Sequence, residues 1–390
     1  MNNNKPLKIL FLPKWYPNHS DILDGVFIVE HAKAINIFED VFVLFVHSHP
    51  DLKKGRTISI SNENGYKEIA IYFKSVNTPS KILNNILTGI RFLSAQFYGY
   101  HKISKEWGRP DITHVHVLMR TSVLAIFLKW FRGIPFIITE HFSGYDPVLA
   151  NKMSAVRKKS LSFVLSQSAA ITTVSESLKL NMQRINKNAN YSVISNAIDK
   201  NVFHIRKKEK KDKKQLIHIS HLSNEPKNFK TIIDVLKQVS ELRNDFELHV
   251  VGGNAINLEK QKLYTEELGL LNNTIFFYGY LPKEQIAKII SQSDFMLMFS
   301  IYENQPCVLL ESFMSGVPII SSDVGGIKEI VNPNNGVTIP LTDADILFKT
   351  ILDFIDGTKK FNPSLIREDA LKYSYEEVGK RFSLLYKSIV

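Results

Sequence analysis

One cysteine, Cys307, stands in 390 residues. A disulfide scaffold and any metal centre built on several thiolates are thereby excluded, and the usage fits a reducing compartment. No H-x3-H, H-E-x-x-H or Asp-x-Asp cluster stands out as a metal centre. Long apolar runs are missing as well. The stretch from Leu7 to Leu12 is too short for a secretory signal, and no small-residue cleavage site follows it. The most apolar segment, 117–138, is broken by Arg120, Lys129, Arg132 and Pro135, so no membrane span is expected. No repeat of roughly 20–50 residues and no low-complexity block stands out. Negative charge is the scarcer sign: 38 Asp and Glu face 49 Lys and Arg, a net +11. Such an excess suggests an anionic partner, which is nucleic acid, an acidic membrane surface or a phosphorylated substrate. A nucleic-acid binder would cluster arginines with interleaved aromatics on one face. Here the positive charge is lysine-rich and spread out, which sets nucleic acid aside.

What is present is an ordinary globular balance, 44% hydrophobic and 22% charged. The chain is too long for one core, since cores stop growing at about 250–300 residues. Short runs rich in Ile, Val and Phe read as strands at 7–12, 41–46, 68–73, 112–117, 134–139, 169–174 and 191–194. Helix-period segments fall between several of them, near 26–38, 81–106, 120–132, 153–167 and 176–185. A second series has strands at 215–220, 246–251, 274–278, 294–299, 317–320 and 336–339. Its helices lie near 228–242, 257–269, 283–292, 306–315, 325–331 and 343–356. Strands apolar on both faces that alternate with helices imply parallel sheets covered on both sides, and two series imply two doubly wound α/β domains. The expected division is 1–200, 201–370 and a last helix, 371–390, packing back toward the first domain. The segment Arg206 to Lys214 carries seven positive and two negative residues without apolar period and reads as an exposed linker.

Ligands of open α/β sheets bind outside the carboxyl ends of the strands, so the loops after strands carry the candidates. The strongest constellation follows strand 294–299: Glu303, Asn304, Gln305, Pro306, Cys307, Val308 and Glu311, closed by the turn Gly316-Val317-Pro318. Pro306 suits the first turn of a helix, where its missing N–H needs no partner. The amides and dipole of that helix start favour phosphate oxygens, and two carboxylates beside an anion site suit sugar hydroxyls. Cys307 itself reads as a small buried hydrophobe rather than a nucleophile.

Glu303 and Glu311 are separated by seven residues, and the stretch resembles the E-x7-E motif of the group 1 family of retaining glycosyltransferases. Three further segments resemble that family in order and spacing. One runs from Lys14-Trp15-Tyr16-Pro17 through Asp24-Gly25 to Glu30-His31-Ala32, the second is Asn196-Ala197-Ile198-Asp199, and the third is Gly325-Gly326-Ile327-Lys328-Glu329. The resemblance implies the GT-B architecture: two Rossmann-like domains facing across a cleft, with a nucleotide-sugar bound mainly by the C-terminal one. It further implies that Glu311 binds the nucleotide ribose, and that Glu303 contacts donor-sugar hydroxyls with amides of 304–308. Lys227, in Glu225-Pro226-Lys227-Asn228, would neutralise the donor diphosphate. Gly25 resembles the glycine that lets backbone approach donor and acceptor; a plain turn glycine is the alternative. His141, directly after strand 134–139, resembles the histidine beside the donor sugar; a structural histidine bonded to a loop carbonyl is the alternative. Glu140 either orients His141 or acts as an acceptor-side base. One position departs from the pattern. His221 stands where the family usually has a phosphate-binding Arg, and an imidazole is only partly charged near neutral pH.

The implied reaction is transfer of a sugar from a nucleoside diphosphate to an acceptor hydroxyl with retention, without metal or other cofactor. Surface polysaccharide or glycolipid assembly is the expected setting. The alternatives are a catalytically inactive partner subunit of the same fold, kept open by His221, and a sugar-nucleotide epimerase or phosphorylase. Expected partners are the nucleotide-sugar, a saccharide or lipid-linked acceptor met by loops 47–66 and 142–155, and an anionic membrane surface under Lys129, Arg132, Arg157, Lys158 and Lys159. The expected location is cytoplasmic, with peripheral attachment to the inner face of the membrane.

Overall fold

The computed structural model describes residues 5–52, 55–118, 120–150, 153–341 and 343–390. The expected acceptor loops therefore include two short stretches, 53–54 and 151–152, outside the described residues. The chain divides into two compact units, Met1–Ala197 with Tyr375–Val390, and Ile198–Ser374.

The first unit is built on eight strands: β1 (Lys8–Pro13), β2 (Asp40–His49), β3 (Arg56–Ser61), β4 (Lys67–Lys74), β5 (Ile112–His116), β6 (Phe136–Glu140), β7 (Ala170–Thr173) and β8 (Tyr191–Val193). Their order across the sheet is β3-β4-β2-β1-β5-β6-β7-β8. Every pairing is parallel except β3 with β4. β5 and β6 are buried along their whole length, as both-face coverage requires. Helices Lys81–Glu106, Ser122–Arg132 and Ala155–Gln167 send Phe92, Ala95, Ile103, Leu124, Leu128 and Leu165 into one core. Helices Val26–Asn36 and Tyr375–Lys387 bury Ile28, Ala32, Val378, Phe382 and Tyr386 in another. The last helix thus belongs to this unit and packs on Val26–Asn36.

The second unit has β9 (Lys214–Ser220), β10 (Phe246–Gly252), β11 (Ile275–Gly279), β12 (Phe295–Met298), β13 (Ile319–Ser322) and β14 (Gly336–Ile339), all parallel, in the order β11-β10-β9-β12-β13-β14. Numbered within the unit, that order is 3-2-1-4-5-6, the doubly wound order of dinucleotide-binding folds.

Three features differ from the sequence expectation. β3 was not anticipated: it is an antiparallel edge strand with no buried residue, so Ile58 and Ile60 gave no run to detect. A short helix, Pro363–Ala370, capped by Asn362, buries only Ile366 and Ala370 and has too few apolar positions to show a period. The basic segment 206–214 is no free linker. The division between units falls earlier, at Ala197, and Lys208 pairs with Asp294 and Lys213 with Glu247 along the second unit. No described helix is long and apolar enough to cross a membrane.

Candidate functional site

Each sheet has one place where the strand order reverses, and there the loops after two neighbouring strands diverge and leave a crevice. In the second unit the reversal lies between β9 and β12. The loop after β9 carries His221 and Lys227; the loop after β12 carries Glu303 to Pro306. The two loops are bound to each other. Ile301 N–H donates to the Pro226 carbonyl at 2.8 Å. The Lys227 ammonium meets Glu303 Oε1 at 2.5 Å, with the two side chains only 17% and 11% exposed. Sequence reasoning assigned these residues separately, one to phosphate and one to sugar; the fold joins them as an ion pair.

The glycine turn after β13 fixes Glu303 from the other side. Gly326 N–H donates to the Glu303 carbonyl at 3.1 Å, and Gly325 lies at φ +47 with that carbonyl where a Cβ would stand, 1.9 Å away. Only glycine meets both demands, a left-handed backbone and an approach that a side chain forbids. Ser322 Oγ adds a bond to the Ser300 carbonyl at 2.6 Å. Beneath the crevice, buried His218 bonds the Leu297 carbonyl through Nδ1 at 2.8 Å and Ser220 Oγ through Nε2 at 2.7 Å, joining the ends of β9 and β12. Burial pushes its pKa down to about 4, so the ring is neutral.

Helix Cys307–Met314 begins one residue later than expected. Pro306 is its N-cap, at φ −69 and ψ 121, and its carbonyl accepts from Leu309 N–H at 3.2 Å. Proline's fixed φ suits this extended entry as well as a first turn. Gln305 is buried, Asn304, Cys307 and Val308 are half-buried, and Glu311 is half-buried more than a turn inside the helix. His221 is exposed at the head of the first loop, with its carbonyl held by Asn257 Nδ2 at 3.1 Å. The arrangement offers a cation, a carboxylate beside it, and the positive end of a helix dipole, at a sheet's switch point.

The first unit reverses between β1 and β5, and Gly25 and His141 belong to its strand-end loops. Gly25 lies at φ +65, and a Cβ there would stand 2.4 Å from the Trp15 carbonyl carbon and oxygen, so its missing side chain serves the chain's own loop. The same loop contains Lys14, whose pKa burial lowers, and Asp24, whose pKa burial and neighbouring Asp21 raise to about 6. Asp24 can therefore exchange a proton near neutral pH, a property that spacing does not reveal.

Glu140 has a structural task. Its fully buried carboxylate accepts from His141 N–H and Phe142 N–H at 2.9 Å each, from Leu118 N–H at 2.9 Å and from Tyr145 Oη at 3.3 Å. Both oxygens are engaged in tying the loops after β5 and β6, which leaves little of the acceptor-side base considered above. His141 stands beside Phe27 (ring centroids 4.4 Å apart) and in a group of buried imidazoles that sequence reasoning missed. His31, His116 and His141 each offer a ring nitrogen within 4.8 Å of the others, and His114 lies 4.0 Å from His116, centroid to centroid. His31 Nε2 bonds the Ser195 carbonyl at 3.1 Å, and both ring nitrogens of His116 lack a hydrogen-bond partner. Burial, reinforced by neighbouring imidazoles, holds His114, His116 and His141 far below the ordinary histidine value, and burial takes His31 to about 4. Neutral imidazoles are the form that binds metals, and among the described residues these three are the set that could hold one. The alternation of His114 and His116 was visible in sequence; their meeting with positions 31 and 141 needed the sheet.

Residues 199–368 match the family described as glycosyl transferases group 1, and residues 43–202 match glycosyltransferase family 4. The chain is 30% identical over 244 residues to N-acetyl-alpha-D-glucosaminyl L-malate synthase of Bacillus anthracis, covering 57% of this chain and 58% of that one. It is 32% identical over 108 residues to lipopolysaccharide 1,6-galactosyltransferase of Escherichia coli K12, covering 27% of this chain and 30% of the relative. The matches thus span less than two thirds of either relative. The solved structure of Anabaena Alr3699/HepE in complex with UDP and glucose shares the fold at TM-score 0.70 and 16% identity, over 98% of this chain and 100% of that one. The greater part of each unit thus matches a glycosyltransferase family, family 4 in the first and group 1 in the second, and the chain shares the GT-B fold.

Proposed function

We propose that the protein transfers a sugar from a nucleoside-diphosphate donor to an acceptor hydroxyl, with retention and without a metal ion, in the assembly of a surface polysaccharide or glycolipid on the cytoplasmic side of the membrane. The observation that carries this reading is the Lys227–Glu303 pair at the switch point of the second unit. In the reaction, the bond between the anomeric carbon and the diphosphate oxygen breaks, the acceptor oxygen bonds that carbon on the same face, and its proton passes to the departing diphosphate. Lys227 stabilises the charge that gathers on the leaving group, in a site where few waters compete. Glu303 orients the donor-sugar hydroxyls, with Asn304, Gln305, Pro306, Cys307 and Val308 lining that end, and Glu311 holds the ribose. His221 completes the proposed donor contacts of the second unit; Gly25 and His141 are proposed as substrate contacts of the first, with His141 a neutral hydrogen-bonding partner.

The names of the relatives and the UDP complex of a structural neighbour support a nucleotide-sugar donor and make UDP-sugars the first to try. The test is a thermal-shift panel of UDP-, GDP- and ADP-sugars, since a ligand that binds only the folded state raises Tm. One class should stabilise the protein by several degrees. Glu311→Ala should mostly abolish that shift, and Lys227→Ala should mostly slow transfer. No response to any nucleotide-sugar contradicts the reading. His221 in place of the usual arginine supports a second reading, an inactive partner subunit; such a subunit would release no nucleoside diphosphate.

A further inference from the structure

The helix Lys81–Glu106 has an outer face that the core does not explain. Its first ten residues expose Ile82 (74%), Leu83 (44%), Ile86 (54%) and Ile90 (59%), with 82, 86 and 90 one turn apart on a single ridge. A surface helix normally carries polar residues there, and a contiguous exposed apolar ridge marks a contact surface. The charges around it are of one sign. From Ile69 to Lys105 the chain contains no Asp or Glu, and Lys81 and Arg91 flank the ridge. The two helices packed in the same layer, Ser122–Arg132 and Ala155–Gln167, also contain no acid. They add Arg132, Arg157, Lys158 and Lys159, none of which forms an ion pair among the described residues, and half-buried Lys129, whose ammonium donates to the Gln167 carbonyl at 2.6 Å. Exposed Trp130 and Phe131, with Phe163 beside Trp130 at 6.2 Å between ring centroids, continue the aromatic–cationic character of that layer.

The ridge also has a definite place. Arg91 Nη1 donates to the Lys74 carbonyl at 2.8 Å, at the carboxyl end of β4. Arg120, in the loop after β5, donates through Nη2 to the Asn85 carbonyl at 3.3 Å. The first turns of the helix therefore stand on the rim formed by the carboxyl ends of the strands, the same rim that carries Gly25 and His141.

We propose that this ridge and the surrounding cations form a docking surface for an anionic lipid bilayer. Ile82, Leu83, Ile86 and Ile90 enter the headgroup–acyl boundary, and Lys81, Arg91 and the cations of the two neighbouring helices meet lipid phosphates. Aliphatic burial and electrostatic attraction act together in interfacial helices, and one without the other binds weakly. Charge complementarity selects this occupant: a surface with cations and no acids repels a second copy of itself. A membrane held at this rim would bring a lipid-linked acceptor to the strand-end loops of the first unit. The docking surface stands independently of the transfer reaction, because it rests on residues of the first unit alone.

Co-sedimentation of the full chain with vesicles tests it. Vesicles of phosphatidylcholine with about 30 mol% phosphatidylglycerol should retain the protein at least about tenfold better than phosphatidylcholine alone. The double variant Ile86→Asp/Ile90→Asp should lose that retention while keeping the wild-type Tm, because both side chains face solvent. Salt at about 0.5 M should weaken wild-type binding, as a screened electrostatic contribution must. Equal binding to both vesicle types, or equal binding by the variant, overturns the proposal. So does a wild-type dimer that becomes monomeric in the variant without any vesicle binding, which would make the ridge an interface between copies. Retention by RNA in place of anionic vesicles overturns it likewise.

Discussion

Gly325→Ala probes how tightly the fold holds Glu303. The residue lies at φ +47, and the added Cβ would stand 1.9 Å from the Glu303 carbonyl oxygen, against 3.4 Å for an ordinary contact. Relief needs a shift of 3.4 − 1.9 = 1.5 Å in one of the two loops. Such a shift breaks the 3.1 Å bond from Gly326 N–H and draws Glu303 away from Lys227. Gly357→Ala is the matched control. It lies at φ +69 in the same unit with nothing within 4 Å of its Cβ, so it bears only the left-handed cost. That cost is about 1–2 kcal/mol, or a fall in Tm of roughly 2–8 °C for a unit of this size. Gly325→Ala should lower Tm further. It should also weaken binding of the stabilising nucleotide-sugar by at least about tenfold, since a misplacement of about 1 Å in a site costs up to about a hundredfold. Differential scanning calorimetry and a donor titration on both variants give the result. Equal losses of Tm with unchanged donor affinity would refute the claim that this turn positions the donor loop.

Three other outcomes are expected. Lowering pH from 7 toward 4 should destabilise the protein. His31 and His218 have folded pKa values near 4 against 6.5 unfolded, so the unfolded state binds more protons in that window and stability present above 6.5 is lost below it. Each contributes up to about 3 kcal/mol of loss, and His114, His116 and His141 act in the same direction. Asp24 and buried Glu140 oppose them, since a carboxyl whose pKa burial raises adds stability as pH falls, but they are two carboxyls against five buried imidazoles. A Tm that is flat between pH 7 and 5 would contradict this. Glu140→Gln keeps the shape but supplies one acceptor oxygen for four donors, so a loss of about 1–3 kcal/mol is expected in denaturant unfolding. Transfer should persist after treatment with a chelator; loss that zinc restores would instead place a metal on His31, His116 and His141.

The alternation of strands and helices was legible because buried parallel strands are apolar on both faces, and it predicted thirteen of the fourteen strands within a few residues. β3 escaped because an exposed edge strand gains little from apolar residues. The same physics hid the true setting of Arg206–Lys214, whose lysines gain acidic partners only when β10 and the β12 entry come alongside. In the candidate site, residues close in sequence were found by pattern: Glu303 through Glu311, and the Gly325-Gly326 turn. Pairings across the sheet were not. Lys227 and Glu303 lie 76 positions apart, and His31 meets His116 and His141 only when β5 and β6 lie side by side under one helix. Such contacts depend on strand order, which composition and period do not encode.

The central claim is that the Lys227–Glu303 crevice activates a nucleoside-diphosphate sugar. Its most direct test follows nucleoside diphosphate released from UDP-, GDP- and ADP-sugars by purified protein, with Lys227→Ala alongside. Steady release from one class of donor, reduced at least about a hundredfold in the variant, is the predicted result. No release from any donor, or equal release by wild type and variant, would contradict it.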